Sequence, residues 1–380
     1  MSLELSKTAK LLRKLIQIPS VSPDDNPGTD QVGEEQLGEF LCAYFRKLGA
    51  TVKLTEVTKG RPNFHAIFPS SGKPRLKVLF VPHLDTVSVA DMTIDPFSAE
   101  VHDGKIWGRG ASDTKGPMAA MITALEEHLK SNRDSLVEWH FAATMGEETG
   151  CIGAGHFAKT CPRYDLVIAG EPTQNKIVHA HKGCLWLEIT AKGKSRHASI
   201  ASIEDNAAFT LSPLLAYLQG EAQAWLKPFE HPVLGSPSLQ VTRLQAGTKT
   251  NISPASASLI IDMRTVPGLD SRLFLKELKK QPFWNNQLKH QILVEARALN
   301  TDPTHKIVQG ILPATKGLDI APWFCDASVF AQRGIPSIAL GPGSIKQAHT
   351  KDEFISLAEL NRGNQTYLRV MKRLQAQSKE

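Results

Sequence analysis

A chain of 380 residues exceeds what one hydrophobic core comfortably serves, so two domains are expected. Its 41% apolar and 22% charged residues are those of an ordinary globular protein. A formal charge of +6 is small for this length, and no Lys/Arg cluster is interleaved with aromatics, which argues against a nucleic-acid partner.

The opening segment, "MSLELSKTAKLLRKLIQIPS", sets Leu11, Leu12, Leu15 and Ile16 on one face of a helix that Pro19 ends. It lacks the apolar core of a signal peptide, and no run in the chain is long enough to span a bilayer. The five cysteines (Cys42, Cys151, Cys161, Cys184, Cys325) are odd in number, scattered and without a C-x-x-C pair. Neither a disulfide framework nor a zinc ribbon is indicated, and a reducing cytoplasm is the expected location.

"LKVLFV" (76–81) is apolar and partly β-branched, which predicts a buried strand. The helical stretch "KGPMAAMITALEEHLK" follows, then the strand "VEWHFAATMGEETG", a further helix, and the strand "YDLVIAGEPT". This alternation predicts an α/β fold with a mainly parallel mixed sheet and helices on both faces. From about residue 181 the character changes. "CLWLEITAKGK", "PSLQVTRLQAG", "SASLIIDMRTVPG" and "QILVEARALN" read as strands, with helices near 205–219 and 270–280. After Thr301 the α/β pattern returns with "IPSIALGPGS" and the closing helix "SLAELNRGNQTYLRVMKRLQ". The expected organisation is a discontinuous catalytic domain, 1–180 and 300–380, carrying an inserted α+β lid of four strands and two helices at 181–299.

In "VPHLDTV" the first strand runs into His83 and Asp85. A His at a strand end is ordinarily a hydrogen-bonded structural residue. Residues two apart on an extended segment share a face, however, so Asp85 can reach the ring nitrogen of His83 turned away from a metal. In open α/β sheets chemistry gathers where strands end. There the sequence supplies Glu147 and Glu148, Glu171 and His349, with Asp113 in the glycine-rich "GRGASDTKG" just before a helix. Two imidazoles and three carboxylates suit zinc, with cobalt or manganese as substitutes, and do not suit calcium. Five groups over-supply one tetrahedral ion and suit two metals sharing a bridge.

"HLDTV", "GRGASDTKG", "GEETG", "GEPT", "AHKG", "RHAS" and "GPGSIKQAHTKDEF" occur in the order seen in the di-zinc aminoacyl hydrolases, which the chain resembles over nearly its whole length. That family includes acetylornithine deacetylase, succinyl-diaminopimelate desuccinylase and carboxypeptidase G. "HAHKG" and "GPGSIKQAH" look most like the first of these. The resemblance implies hydrolysis of the amide of an N-acyl amino acid, with His83 and Glu171 on one zinc, Glu148 and His349 on the other, and Asp113 bridging. It makes Asp85 the orienter of His83 and Glu147 the general base. His197 becomes the oxyanion donor, and Asn251 and Arg264 the binders of the substrate carboxylate. It also implies a homodimer formed through the lid. A desuccinylase, a carboxypeptidase or dipeptidase, and a metal-binding scaffold without catalysis stand as alternatives; the presence of Glu147 beside its neighbour argues against the last.

Other features read more plainly. His128 and His140 are expected to be structural, His179 and His181 flank the start of the lid, and Lys182-Gly183 suits a hinge. Gly341 and Gly343 shape the loop that leads to His349. Arg196 stands where relatives have a small residue before the lid His, and residues 301–321, which match no motif, are the expected seat of substrate selection.

Overall fold

The computed structural model describes residues 4–24, 26–132 and 135–379. By packing, the chain falls into two units: Met1–His179 with Asn300–Asp319 and Cys325–Glu380, and Ala180–Leu299 with Ile320–Phe324.

In the first unit Ser6 caps α1 (Lys7–Ile16) by accepting the Ala9 N–H, and Leu11, Leu12, Leu15 and Ile16 form its buried face. Next come α2 (Glu35–Lys47) and an antiparallel hairpin of β1 (Thr51–Thr58) and β2 (Arg61–Phe68). They are followed by β3 (Leu76–Val81), the short pair β4 (Val101–His102) and β5 (Lys105–Trp107), and α3 (Lys115–Ser131). The run closes with β6 (Val137–Ala143), α4 (Ile152–Ala158), β7 (Leu166–Gly170) and β8 (Ile177–His181).

The second unit contains β9 (Gly183–Lys192), the short β10 (Arg196–His197), α5 (Ala207–Gln219), α6 (Glu221–Leu226) and β11 (Ser238–Ala246). It continues with β12 (Ile252–Ser253), β13 (Ser256–Thr265), α7 (Ser271–Lys280) and β14 (Leu288–Ala296). Its four long strands form an antiparallel sheet ordered β11-β13-β9-β14. Alternate residues of β9 and β13 (Leu185, Leu187, Ile189; Leu259, Ile261, Met263) meet Leu211, Leu214, Phe274 and Leu278 of the helices in one core. The short α6 adds a third helix to the two expected. Residues 320–324 pack here although their sequence reads as part of the other domain: the Lys182 N–H donates to the Ala321 carbonyl, and Trp323 stacks on His181.

The rest of the chain supplies β15 (Leu299–Asn300), α8 (Lys306–Ile311), β16 (Leu318–Ala321), α9 (Ala327–Ala331), β17 (Ser337–Leu340), β18 (Phe354–Ser356) and α10 (Leu357–Gln377). The large sheet runs β1-β2-β6-β3-β7-β17-β8-β15, with β16 also on β8. Its centre, β6-β3-β7-β17, is parallel, and the flanking pairs β1/β2, β2/β6 and β17/β8 are antiparallel. A strand covered on both faces is apolar throughout rather than alternating, as "LKVLFV" is. Val78 and Phe80 pack into the core shared with α1, α2, α3 and α10. On the other face, α4 and α9 pack on one another, and α9 on β7 and β17. Among the described residues no helix is long and apolar enough to cross a membrane.

Candidate metal centre

The carboxyl ends of the parallel strands carry the expected acids and imidazoles. His83 lies two residues beyond β3 and Glu171 immediately follows β7. Beyond β6, the segment Thr144–Thr149 turns at Gly146, whose φ of 65° is the left-handed conformation glycine favours, and presents Glu147 and Glu148. Asp113 precedes α3. His349, with φ 59°, ends the long loop from β17.

These side chains converge. His83 Nε2 lies 3.0 Å from Asp113 Oδ1, and His349 Nε2 lies 3.4 Å from Asp113 Oδ2, so one carboxylate faces an imidazole with each oxygen. His349 Nε2 also sits 3.2 Å and 3.1 Å from the two oxygens of Glu148. Ligand atoms of His83, Asp113 and Glu171 gather within 4.8 Å of one another, as do those of Asp113, Glu148 and His349. A third such group joins Glu147 to His83 and Glu148. The donor set fits two borderline divalent cations sharing Asp113: imidazole nitrogen and carboxylate oxygen, two protein imidazoles in all, and more carboxylates than those imidazoles can neutralise.

The electrostatics point the same way. Burial, with Glu171 and Glu148 close by, pushes the Glu147 carboxyl well above its ordinary value despite His83. Burial likewise raises Glu171 well up, and raises Glu148 against the pull of His349. Burial would raise Asp113 too, but His349 and His83 on its two oxygens hold it far below the usual range. The Glu148 carboxylate first, then Asp113, lifts His349 to about 11. Burial would lower His83, yet Asp113 and Asp85 raise it well above its ordinary value. A buried pocket so rich in negative charge is one that a bound cation relieves.

Asp85 does more than orient an imidazole. The acceptor nearest His83 Nδ1 is the Asp85 backbone carbonyl at 2.9 Å, and the carboxylate Oδ1 is 3.6 Å away. That carboxylate instead accepts the N–H groups of Glu147 and Glu148, each at 3.1 Å. It is fully buried and sets the backbone on which Glu147 and Glu148 sit. The Glu147 carboxylate itself accepts no hydrogen bond from a described residue.

His197, Asn251 and Arg264 belong to the second unit. His197 is exposed on β10, pairs across to Ile252, and has Nδ1 2.7 Å from the Ser199 hydroxyl. The Ala198 N–H donates to the Asn251 carbonyl at 2.9 Å, so Asn251, just before β12, lies beside the end of β10 that carries His197. The Arg264 guanidinium is held by Asp262 two residues earlier, Nε to Oδ1 at 2.8 Å and Nη2 to Oδ2 at 2.9 Å. Arg196 is drawn to Asp205 at 3.0 Å. Of the 301–321 stretch, Thr301, Asp302, His305, Lys306 and Ile307 line, with Leu76, Asp165 and Pro336, a cavity of about 520 Å³ at the amino ends of β3, β7 and β17. His140 is structural, joined to Glu138, His65 and the Tyr164 hydroxyl; His128 is buried edge-on against Trp139.

Two buried carboxylates near the centre carry no role in the sequence reading. Asp326 accepts the Thr144 hydroxyl, and burial raises it to about 6. Glu353 lies four residues beyond His349. Asp326 has no motif to mark it, whereas Glu353 stands inside "GPGSIKQAHTKDEF".

A family model, peptidase family M20/M25/M40, matches residues 79–373. The chain belongs to this family. It is 32% identical over 371 residues to the acetylornithine deacetylase of Proteus mirabilis, covering 94% of each chain. It is 31% identical over 359 residues to that of Klebsiella pneumoniae, covering 91% of this chain and 92% of the relative. An M20 family metallo-carboxypeptidase from Sulfolobus solfataricus superposes with a TM-score of 0.80 at 20% identity, over 98% of this chain and 100% of its own. A dinuclear metal binding peptidase of the M20 family from Bacillus subtilis gives 0.65 at 15% identity, over 96% and 97%. Both structures share the fold. As an M20 member the chain is a metal-dependent hydrolase.

Proposed function

We propose that this M20 hydrolase cleaves the amide of an N-acyl amino acid, with N2-acetyl-L-ornithine, giving L-ornithine and acetate, as its substrate. The observation that carries the reading is Asp113, which faces His83 with one oxygen and His349 with the other. His83 and Glu171 would hold one zinc, Glu148 and His349 the second, and Asp113 both. Metals bound there supply Lewis acidity and bring the pKa of a coordinated water toward neutrality.

The chain's own groups do the rest. Glu147, with no donor from a described residue on its carboxylate, is free to take a proton from the attacking water and deliver it to the leaving amine nitrogen. Asp85 keeps Glu147 and Glu148 in fixed relation through their N–H groups. Arg264, braced by Asp262, offers its remaining N–H donors to the substrate carboxylate, with Asn251 beside His197. His197 donates to the oxyanion that develops at the carbonyl.

We assign His197 to the active site of a second copy, in a cytoplasmic homodimer formed through the 181–299 domain. Both outer strands of that domain's sheet, β11 and β14, bear exposed apolar residues (Leu244, Ile292 and Leu293) that a second copy would cover. The acetylornithine assignment is supported by relatives of that name near 30% identity.

The test is hydrolysis of a panel: N-acetyl-ornithine, N-acetyl-citrulline, N-succinyl-diaminopimelate and simple dipeptides, before and after chelation, with elemental analysis of the protein. Up to two zinc ions per chain, activity strongest on N-acetyl-ornithine and loss of activity on chelation are expected. Preference for the succinyl compound or for dipeptides replaces the substrate assignment. Full activity in metal-free protein ends the mechanism.

A further inference from the structure

Glu353 is fully buried beneath the metal centre yet offers nothing to a metal. Its Oε1 accepts the backbone N–H of Ser112 at 2.8 Å and of Asp113 at 2.9 Å. Its Oε2 accepts the N–H of Gly110 at 3.0 Å and the Nη1 of Arg109 at 2.9 Å. Four donors saturate the two oxygens of a carboxylate. Glu353 is thus a receptor for a loop, and the loop it receives is the one that carries Asp113.

It also belongs to the loop of His349. Arg109 Nη1 donates to the carbonyl of Thr350, next to His349, at 3.3 Å, while its Nε and Nη2 reach the Ser88 carbonyl at 3.2 Å and 2.8 Å. The Gly108 N–H donates to the Glu353 carbonyl at 2.9 Å, and the Ser112 hydroxyl to the Phe354 carbonyl at 2.8 Å. Segments 108–113 and 349–354 are therefore stitched together with the Glu353 carboxylate at the middle of the seam. His349 holds a left-handed φ of 59°, a conformation a non-glycine residue keeps only when its surroundings impose it.

We propose that Glu353 is a positioning residue for the metal centre: it fixes the peptide planes of Ser112 and Asp113 against the loop of His349, so that both ligand sets depend on one carboxylate that binds no metal. The inference rests on the reading of Asp113 and His349 as ligands. A side-chain amide in its place would turn an –NH₂ toward two groups that are themselves donors, either the Ser112 and Asp113 N–H or the Gly110 N–H and Arg109. The loop must then shift, carrying the Asp113 side chain with it. Partners that orient metal ligands are worth about 10- to 100-fold in metal affinity.

The test measures zinc affinity by competition with a chromophoric chelator, and cobalt absorption spectra, for parent, Glu353→Gln and Arg109→Met. Val370→Ala, a buried position in α10 away from the seam, serves as a stability control. Glu353→Gln should weaken both sites about tenfold or more and alter the cobalt spectrum. Arg109→Met, which removes one of the four donors, should weaken both by a smaller factor and covers the case in which Glu353→Gln does not fold. Val370→Ala should lower the melting temperature and leave metal affinity at the parent value. Parent-like metal affinity in both seam variants overturns the inference, as does equal weakening by Val370→Ala at a matched loss of melting temperature. A parent protein that binds no metal overturns the reading of the centre, and this inference with it.

Discussion

Replacing Glu147 with Gln should move activity and stability in opposite directions. The side chain keeps its shape, so the metal ligands around it stay in place, but no acceptor remains for the water's proton. Loss of a general base costs about a hundredfold to ten-thousandfold in turnover, roughly 3 to 5 kcal/mol on the barrier. Folding responds the other way. The residue is 5% exposed, and its carboxylate takes no hydrogen bond from a described residue. Burial, then Glu171, Glu148 and Asp326, push its carboxyl upward, with His83 opposing. At neutral pH the charge therefore opposes folding of the metal-free chain, by about 1.4 kcal/mol for each pH unit that its titration is displaced. The neutral amide removes that opposition, so metal-free Glu147→Gln should be more stable than the parent by on the order of 1 kcal/mol or more. Urea unfolding of chelated protein and steady-state hydrolysis by zinc-loaded protein read the two effects separately. Turnover within tenfold of the parent would show that Glu147 is not the base, and a fall in metal-free stability that its charge does not oppose folding.

Glu148→Gln removes a partner of His349 and Asp113 and leaves His83, Asp113 and Glu171 together, so metal content should fall from two per chain toward one. Equal metal loss in the Glu147 and Glu148 variants would show that base and ligand are wrongly assigned. His128 is buried against Trp139 with no partner on Nε2 among the described residues, and burial, with Lys372 nearby, lowers it to about 4. The unfolded chain, with an ordinary value near 6.5, binds the proton more readily between those limits. Stability should therefore be complete above about pH 6.5 and fall toward pH 4 by up to roughly 1.4 kcal/mol per pH unit from this group. Denaturation midpoints of His128→Met against pH should show the shallower slope, and an unchanged slope would remove His128 as a cause. Co-expression of His197→Ala with Glu147→Ala should restore activity, because a mixed dimer holds one site with its own Glu147 and the partner's His197. If the mixture stays inactive while each variant still forms dimers, His197 acts within its own chain.

The elements legible in the sequence were those whose burial is one-sided or complete. "LKVLFV" is apolar because β3 has parallel neighbours and helices on both faces, and β3 occupies that whole stretch. The hairpin of β1 and β2 carries no such signal because β1 lies at a sheet edge, where "TVKLTEVT" alternates half-buried with exposed positions and needs no apolar run. The convergence of His83, Asp113 and His349 was legible from residue type and place: a His just beyond a buried strand, an acid in a glycine-rich loop before a helix, and a His in the loop after the last parallel strand. The behaviour of the Asp85 carboxylate was not, since spacing on an extended strand says nothing of a turn 62 residues away whose N–H groups seek an acceptor. Glu353 was hidden for a related reason: its partners are mostly backbone amides, which every residue type presents alike.

The strand order of the large sheet bears on how the chain is made. β17 comes from residues 337–340 yet lies between β7 and β8, which end at residues 170 and 181. At ordinary rates of synthesis roughly ten to thirty seconds separate the emergence of β7 from that of β17. Throughout that interval β7 presents an unpaired apolar edge to other nascent chains. The intervening segment 183–296 carries a complete four-stranded sheet with its own helices in one uninterrupted stretch, and can close while the first sheet waits. His349 and the α10 helix arrive later still. From the emergence of Glu171 until that of His349 the pocket of carboxylates lacks one imidazole, and a C-terminal truncation anywhere before α10 should yield an aggregating chain rather than a weakened enzyme.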